Sequence, residues 1–382
     1  FGWVGVLYKR QNQNRAWAEI DLSALEHNFD VIQKHTGRPV MCIVKANAYG
    51  HGAVPVAHCL ERRGAAYFGV ATGDEALELR AAGIRAPILI LGYVDVADMP
   101  AIVRHDITVP IYDRETAELF SQAAAAEGKP VHVHFALDTG MSRLGFQANR
   151  TQETIEALLD IARLPGIEVS GAFTHFAVSD TAAPEDIAFT KQQLALFRAV
   201  CDGLEAAGLP IPVKHCANSG GVVQYADSYM DMVRAGIIRY GYQPDPANPV
   251  RINVRPVMTV KTHIVQVREL EKDRLVSYGC TYRTPEPIRE AVVAIGYADG
   301  FLRACSGRAA VVVDGQAAPV IGRVCMDMLM VRVPEGARAA RGDVVTVFGD
   351  AAVTADTLAE AAGTISYEVL CAVSHRIPRV YL

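Results

Sequence analysis

The 382-residue sequence holds eight cysteines but no CxxC pair and no regular cysteine spacing between Cys42 and Cys371. That excludes a disulfide framework or zinc ribbon as the organising device and reads as reduced thiols in a cytoplasmic protein. No basic stripe is present, and Lys and Arg (37) fall short of Asp and Glu (42), so nucleic acid is not the expected partner. No apolar run reaches the roughly 20 residues a membrane-spanning helix needs; stretches such as Ala86–Gly92 are strand-length. Nor is there a fixed internal period, which argues against a repeat protein. Hydrophobic residues make up 51% and charged residues 21%, ample material for large cores and incompatible with general disorder.

The chain starts at Phe1 without an initiator Met. Residues 1–14 carry no usable periodicity and are set apart as an uncertain N-terminal extension: a cloning remnant, a gene-boundary artefact or the end of an upstream domain. From residue 15 to 245, eight short apolar runs alternate with helical patterns. They are 40–45, 67–71, 87–91, 108–112, 131–136, 167–172, 213–216 and 232–235. Strands alternating with helices imply a parallel sheet covered on both faces, and eight of them fit a (β/α)8 TIM-like barrel. The Pro-rich stretch 241–249 reads as a linker. Beyond it, from 246 to 382, β-rich runs with turn signals at Asp314-Gly315 and Gly342-Asp343, plus one late helix near 355–362, predict a mostly antiparallel β domain.

A barrel carries its active site at the C-terminal ends of its strands. Reading those ends collects Lys45, Arg143, His175, Asn218-Ser219 and Arg234-Ala-Gly-Ile237. Lys45 leaves the apolar run Met-Cys-Ile-Val for a small-residue loop. A desolvated amine there would form a Schiff base readily, because burial favours the neutral nucleophile. A solvated surface lysine is the plainer reading of the same residue. His132-Val-His134 offers a competing theme: strand alternation would place both rings on one face, as in a metal-dependent barrel hydrolase. The carboxylate and lysine ligands that such a site requires do not follow at the strand ends.

Val44-Lys45-Ala-Asn-Ala-Tyr-Gly-His-Gly52 resembles the alanine racemase family, pyridoxal-phosphate enzymes with a barrel and a β domain. Further family motifs follow in order: Leu137–Gly145, Thr174-His-Phe176, Ala217-Asn-Ser219, Val233–Ile237, Val276-Ser-Tyr-Gly279, Gly296-Tyr-Ala-Asp-Gly300, Gly322–Asp327 and Ser366-Tyr-Glu368. The resemblance covers residues 15–382. It implies interconversion of L- and D-alanine, supplying D-alanine for peptidoglycan, by two-base proton transfer at the substrate Cα. Lys45 would hold pyridoxal 5'-phosphate through its Schiff base and act as one base, with Tyr278 as the other on the opposite face. A free phenol titrates near 10, so Tyr278 would need the relay through His175 to Arg234 that the family suggests.

Arg234 would also face the pyridine nitrogen, where a permanently charged guanidinium leaves that nitrogen largely unprotonated. Tyr49, Asn218, Ser219, the backbone at Gly236 and Ile237, and Tyr367 would complete the cofactor site. Arg143 would contact the cofactor's phenolic oxygen and, with the Met326 backbone, seat the substrate carboxylate. Asp180, Tyr297, Arg303, Arg323 and Asp327 would line the corridor to the site. Active sites shared across a head-to-tail homodimer follow from the same resemblance. One departure is expected to matter. Many relatives carry a carbamylated lysine seven residues before the motif arginine; here that position is Ala136. A chloride, a water cluster or a neighbouring polar side chain is expected to orient Arg143 instead. A serine or broad-specificity racemase, or a catalytically silent pyridoxal-phosphate carrier, remains an alternative. Carriers of that kind lack the β domain that supplies Tyr278.

Overall fold

The computed structural model describes residues 15–382, and the proposed extension 1–14 lies outside the described residues. The first strand, β1 (Ala16–Ile20), pairs antiparallel with residues 258–262 and parallel with 379–381. It therefore joins the second half of the sequence. The chain forms two compact units, one of Glu26–Ala48 and Ala53–Val254, the other holding β1, Tyr49–Gly52 and Arg255–Leu382. This differs from the expected division at 245/246 with everything from residue 15 in the barrel. The cause is hydrogen bonding: the backbone of Ala-Trp-Ala-Glu-Ile finds its ladder partners beyond residue 257.

All eight expected barrel strands form. After α1 (Leu22–Thr36) come β2 (Val40–Ile43), α2 (Ala53–Arg63), β3 (Tyr67–Val70), α3 (Gly73–Ala81), β4 (Ile88–Ile90), α4 (Met99–Arg104) and β5 (Val109–Ile111). The series continues through α5 (Arg114–Glu127), β6 (Val131–Asp138), α6 (Thr151–Ile161), β7 (Ile167–Phe173), α7 (Pro184–Ala206), β8 (Val213–His215), α8 (Ser219–Gln224) and β9 (Val233–Ala235). Parallel ladders run β9–β2–β3–β4 and β5–β6–β7–β8, and a Leu89–Thr108 bridge links the two arcs. Backbone bonds from Arg234 N to Ala217 O (2.9 Å) and from Asp231 N to Lys214 O (3.1 Å) tie the other side. The short strands β2, β4, β5 and β9 are buried throughout, as a parallel sheet covered on both faces requires. Helix boundaries follow local chemistry. In α5, Asp113 accepts from Thr116 N at 2.7 Å, and Gly128 ends the helix at φ +63°.

In the second unit, β10 (Met258–Leu270) is a 13-residue strand with a register shift between Ile264 and Gln266. It is followed by β11 (Ile288–Val293), β12 (Ala310–Val313), β13 (Gln316–Ile321), β14 (Leu329–Arg332) and β15 (Val344–Phe348). The order β11–β14–β13–β12–β15–β10 closes on itself through β10–β11, leaving β1 as an added strand. Closure removes sheet edges that would otherwise invite pairing with other chains. The expected helix appears as α9 (Ala355–Ala362). A second, α10 (Ser366–Ala372), was not expected, since seven residues are too few to show a helical period. The last strand, β16 (Arg379–Tyr381), lies against β1.

Gly300 shows how tightly this unit is drawn around the Gly-Tyr-Ala-Asp-Gly motif. Its φ is +108°, and a Cβ there would lie 2.2 Å from the Ala372 carbonyl oxygen. Strain and clash add, so Gly300→Ala should destabilise the protein by about 2–4 kcal/mol. Urea unfolding of the variant measures this directly.

Candidate active site

Lys45 follows β2 and opens an unusual turn. Ala46, Asn47 and Ala48 sit near φ +53° and ψ +50°, and Tyr49 follows at φ +52°, four successive non-glycine residues with positive φ. Such a conformation costs about 1–2 kcal/mol per residue, so neighbours must impose it. Glu75 does part of this, accepting from Ala46 N (2.6 Å) through one oxygen and from Ala71 N (2.7 Å) through the other. Asn47 Oδ1 accepts from Ala53 N at 2.8 Å. The turn thus places the Lys45 amine at the end of a wholly buried strand, and sequence reading gave Glu75 no part in it.

Arg234, central in β9, is buried and has no carboxylate partner among the described residues. Its NH1 donates to His215 Nδ1 (3.0 Å) and His215 O (2.9 Å). Its NH2 donates to Thr174 O (2.7 Å), Cys216 O (3.1 Å) and His175 Nδ1 (3.3 Å). Burial brings its pKa down to about 10, still well above neutrality, so the group stays charged. Burial, then the charges of Arg234, Arg143 and Lys45, hold the His175 pKa well below its usual 6.5. Arg234, Arg143 and Lys45 thus all lie close enough to the His175 imidazole for their charges to act on it.

The anion-cradle residues also converge. Ser219, buried at the start of α8, accepts from Gly236 N at 3.0 Å, and Asn218 Oδ1 accepts from Gly221 N at 3.0 Å. A Cβ on Gly220 would meet Ser179 O at 2.6 Å, so only glycine fits there. Ile237 follows in the adjoining turn and is buried. Arg143 lies beside a pocket lined by Ala136, Tyr112, Met141 and Thr174. Asp138 also lines it, but its Oδ1 braces the loop by accepting from Gly140 N and Ser142 N, each 3.0 Å away. No ion pair joins Arg143 to a carboxylate among the described residues. Asp180 lies in the loop after β7; burial, helped by Asp245 and Asp186, pushes its carboxyl pKa up.

In the second unit, the Tyr49 and Tyr367 rings meet at 6.1 Å between centroids. Tyr278 is 70% exposed on a turn strained at Ser277 (φ +66°) and Cys280 (φ +50°). Ser277 Oγ donates to Arg323 O at 2.7 Å, and Val276 anchors the turn in a cluster with Leu270, Ile288 and Met330. The Arg323 backbone thus braces the turn that carries Tyr278. Asp327 pairs with Arg376 at 2.8 Å, and the buried Asp299 takes both Arg376 and Arg15. Met326 O accepts from Ala298 N, next to Tyr297 in the motif turn. Arg303 is exposed on its own short turn.

The two histidines of the hydrolase reading part company. His132 is exposed against Glu168 (3.3 Å), whereas His134 is fully buried with its Nδ1 2.9 Å from His215 Nε2. His215 was not singled out from the sequence, although it stands three residues before Asn218.

Comparison with known proteins decides the family. The description "Alanine racemase, N-terminal domain" matches residues 20–244, and "Alanine racemase, C-terminal domain" matches 257–381. The chain belongs to the alanine racemase family. It is 44% identical over 368 residues to the alanine racemase of Desulfovibrio desulfuricans, covering 96% of this chain and 98% of that protein. It is 43% identical over 370 residues to that of Clostridium perfringens, covering 96% and 95%. The solved alanine racemase of Clostridium difficile 630 superposes with a TM-score of 0.90 at 38% identity, covering 96% of each chain.

Three buried histidines set an acid limit on the alanine racemase barrel. Burial depresses the pKa of His134 to about 3 and those of His175 and His215 well below 6.5. The folded state keeps all three neutral, while the unfolded chain protonates them near pH 6.5. Stability is then complete above that pH and is lost as pH falls toward the folded values. At about 1.4 kcal/mol per pH unit, His134 alone should cost about 1 kcal/mol between pH 7.0 and 5.5, with His175 and His215 acting in the same direction. Urea midpoints at the two pH values give the answer.

Proposed function

We propose that the protein is a pyridoxal-phosphate-dependent alanine racemase, an isomerase interconverting L- and D-alanine. The observation that carries this is the grouping of Lys45, Arg143 and Arg234 around a neutral His175, with no carboxylate on Arg234 among the described residues. Two guanidinium groups suit a phosphorylated cofactor and a substrate carboxylate, and a strand-end lysine suits a Schiff base. Many pyridoxal-phosphate sites place a carboxylate at the pyridine nitrogen; a guanidinium there suits racemisation with few side reactions.

Pyridoxal phosphate, when bound, supplies an electron sink that acidifies the Cα–H bond of the attached amino acid. The chain's own groups do the rest. Lys45 Nζ removes or returns the α-proton on one face. Tyr278 of the partner subunit does so on the other, its phenol linked through His175 to Arg234. Arg143 and the Met326 backbone seat the carboxylate; Tyr49, Tyr367, Asn218, Ser219, Gly236 and Ile237 hold the cofactor phosphate end. Asp180, Tyr297, Arg303, Arg323 and Asp327 line the corridor. A second copy of the chain is favoured by the exposure of Tyr278, Tyr297, Met326 and Met328 on one unit, an unusual amount of large apolar surface for a lone chain. The enzyme works in the cytoplasm, supplying D-alanine for peptidoglycan. In place of a carbamate, chloride in the pocket beside Ala136 orients Arg143.

The test is a panel of L-Ala, D-Ala, L-Ser, L-Arg and L-Lys with the purified protein and pyridoxal phosphate. Alanine should turn over fastest in both directions. Since one hydroxymethyl-for-methyl exchange is worth about 1–3 kcal/mol in such pockets, serine should trail by about 10–200-fold. Faster turnover of serine would reassign the substrate, and no turnover of any member would leave a carrier.

A further inference from the structure

The Arg234 guanidinium is the end of a longer chain of hydrogen bonds inside the barrel. Arg234 NH1 meets His215 Nδ1 at 3.0 Å, and His215 Nε2 meets His134 Nδ1 at 2.9 Å. His134 and His215 stand on β6 and β8, separated by β7. They can meet because β7 carries Gly171 between them: His134 pairs in register with Gly171, and Gly171 with Val213. A Cβ on Gly171 would lie 2.7 Å from His134 Nε2. Phe173 stacks on His215 at 5.4 Å and 14°, and Tyr67 faces His134 at 6.0 Å.

The proton order along this chain is fixed by counting. A guanidinium has five N–H donors and no acceptor. His215 Nδ1 must therefore be the acceptor, so a neutral His215 carries its proton on Nε2. That N–H points at His134 Nδ1, which must accept in turn, and His134 carries its own proton on Nε2. Charging either ring would set two N–H groups against each other. The only order consistent with the distances is Arg234 to His215 to His134, both rings neutral. Among the described residues the same contacts engage Arg234 through NH1 and NH2.

We propose that His134 is a positioning residue for the cofactor site: by accepting from His215 it fixes the His215 tautomer, which in turn fixes the plane and donor assignment of Arg234. The proposal rests on the reading of Arg234 as the group beneath the cofactor ring. Without an acceptor at His134, the His215 Nε2–H is a buried donor with no partner, and His215 gains by moving its proton to Nδ1. That proton then opposes Arg234 NH1, and the guanidinium rotates away from its position. Low basicity of both rings, imposed by burial, keeps the chain in its neutral form. The order ends at His134 Nε2, which has no partner among the described residues.

The test uses the full-length protein with histidine ring nitrogens labelled with 15N. Wild-type protein at neutral pH should show His134 and His215 each with protonated Nε2 and unprotonated Nδ1, with and without pyridoxal phosphate. His134→Asn keeps an acceptor oxygen where Nδ1 stood and should bind pyridoxal phosphate within about threefold of wild type, by equilibrium dialysis. His134→Leu offers no acceptor; it should move the His215 proton to Nδ1 and weaken pyridoxal phosphate binding by about tenfold or more. A wild-type His215 protonated on Nδ1 overturns the proposal, even if His134→Leu fails to fold. So does a folded His134→Leu with wild-type affinity and an unchanged His215 tautomer. Failure of borohydride to fix pyridoxal phosphate to Lys45 in the wild type would instead remove the cofactor reading itself.

Discussion

Lys45→Ala will lower alanine racemisation by at least about 10⁴-fold in both directions. General acid–base catalysis alone contributes about 10²–10⁴-fold, and on the proposed roles this variant loses a base together with the covalent anchor for the cofactor. Borohydride treatment followed by peptide mapping should find pyridoxyl-lysine at residue 45 in the wild type and at no lysine in the variant. An adduct on another lysine would move the anchor elsewhere. The fold should survive, because the left-handed turn is held by Glu75 and Asn47, which bond to Ala46 N and Ala53 N. Matching melting curves would confirm that the loss is chemical.

Tyr278→Phe carries the second large effect, a loss of about 10²–10⁴-fold with the cofactor still attached. Removing one hydroxyl from a side chain that is 70% exposed should leave stability nearly unchanged. On the proposal that Lys45 and Tyr278 serve opposite faces, uptake of solvent deuterium should become asymmetric between L- and D-alanine. Mixing Lys45→Ala with Tyr278→Phe chains should restore part of the activity, since a hybrid dimer regains one intact site. Unchanged turnover in Tyr278→Phe would reject it as a base. Full activity in strictly monomeric wild-type protein would reject the shared site.

The barrel was legible where its strands are buried on both faces and read as unbroken apolar runs, as Val-Met-Cys-Ile at β2 does. A strand's partners leave no such mark. Ala-Trp-Ala-Glu-Ile reads as a strand wherever it goes, and only the distant residues 258–262 decide that it joins the second unit. The turn after Lys45 was illegible for a different reason. Ala-Asn-Ala-Tyr contains no glycine, so nothing local announces four residues with positive φ; the conformation is imposed by Glu75, some 30 positions away. His134 and His215 lie 81 residues apart, and nothing along the chain pairs them. Their link runs over Gly171, whose importance as a missing side chain appears only in three dimensions. Chemistry at strand ends could be read along the chain, whereas chemistry inside the barrel could not.

The central claim is that the chain inverts the Cα of alanine by proton exchange on both faces. Incubating L-alanine with the holoenzyme in D2O and following optical rotation together with Cα deuterium tests it in one vessel. The rotation should decay to zero while deuterium accumulates in both enantiomers, and starting from D-alanine should reach the same end point. Deuterium uptake with retained rotation would show exchange on one face only and contradict the two-base account. Unchanged rotation with no deuterium uptake would contradict the assignment as a racemase.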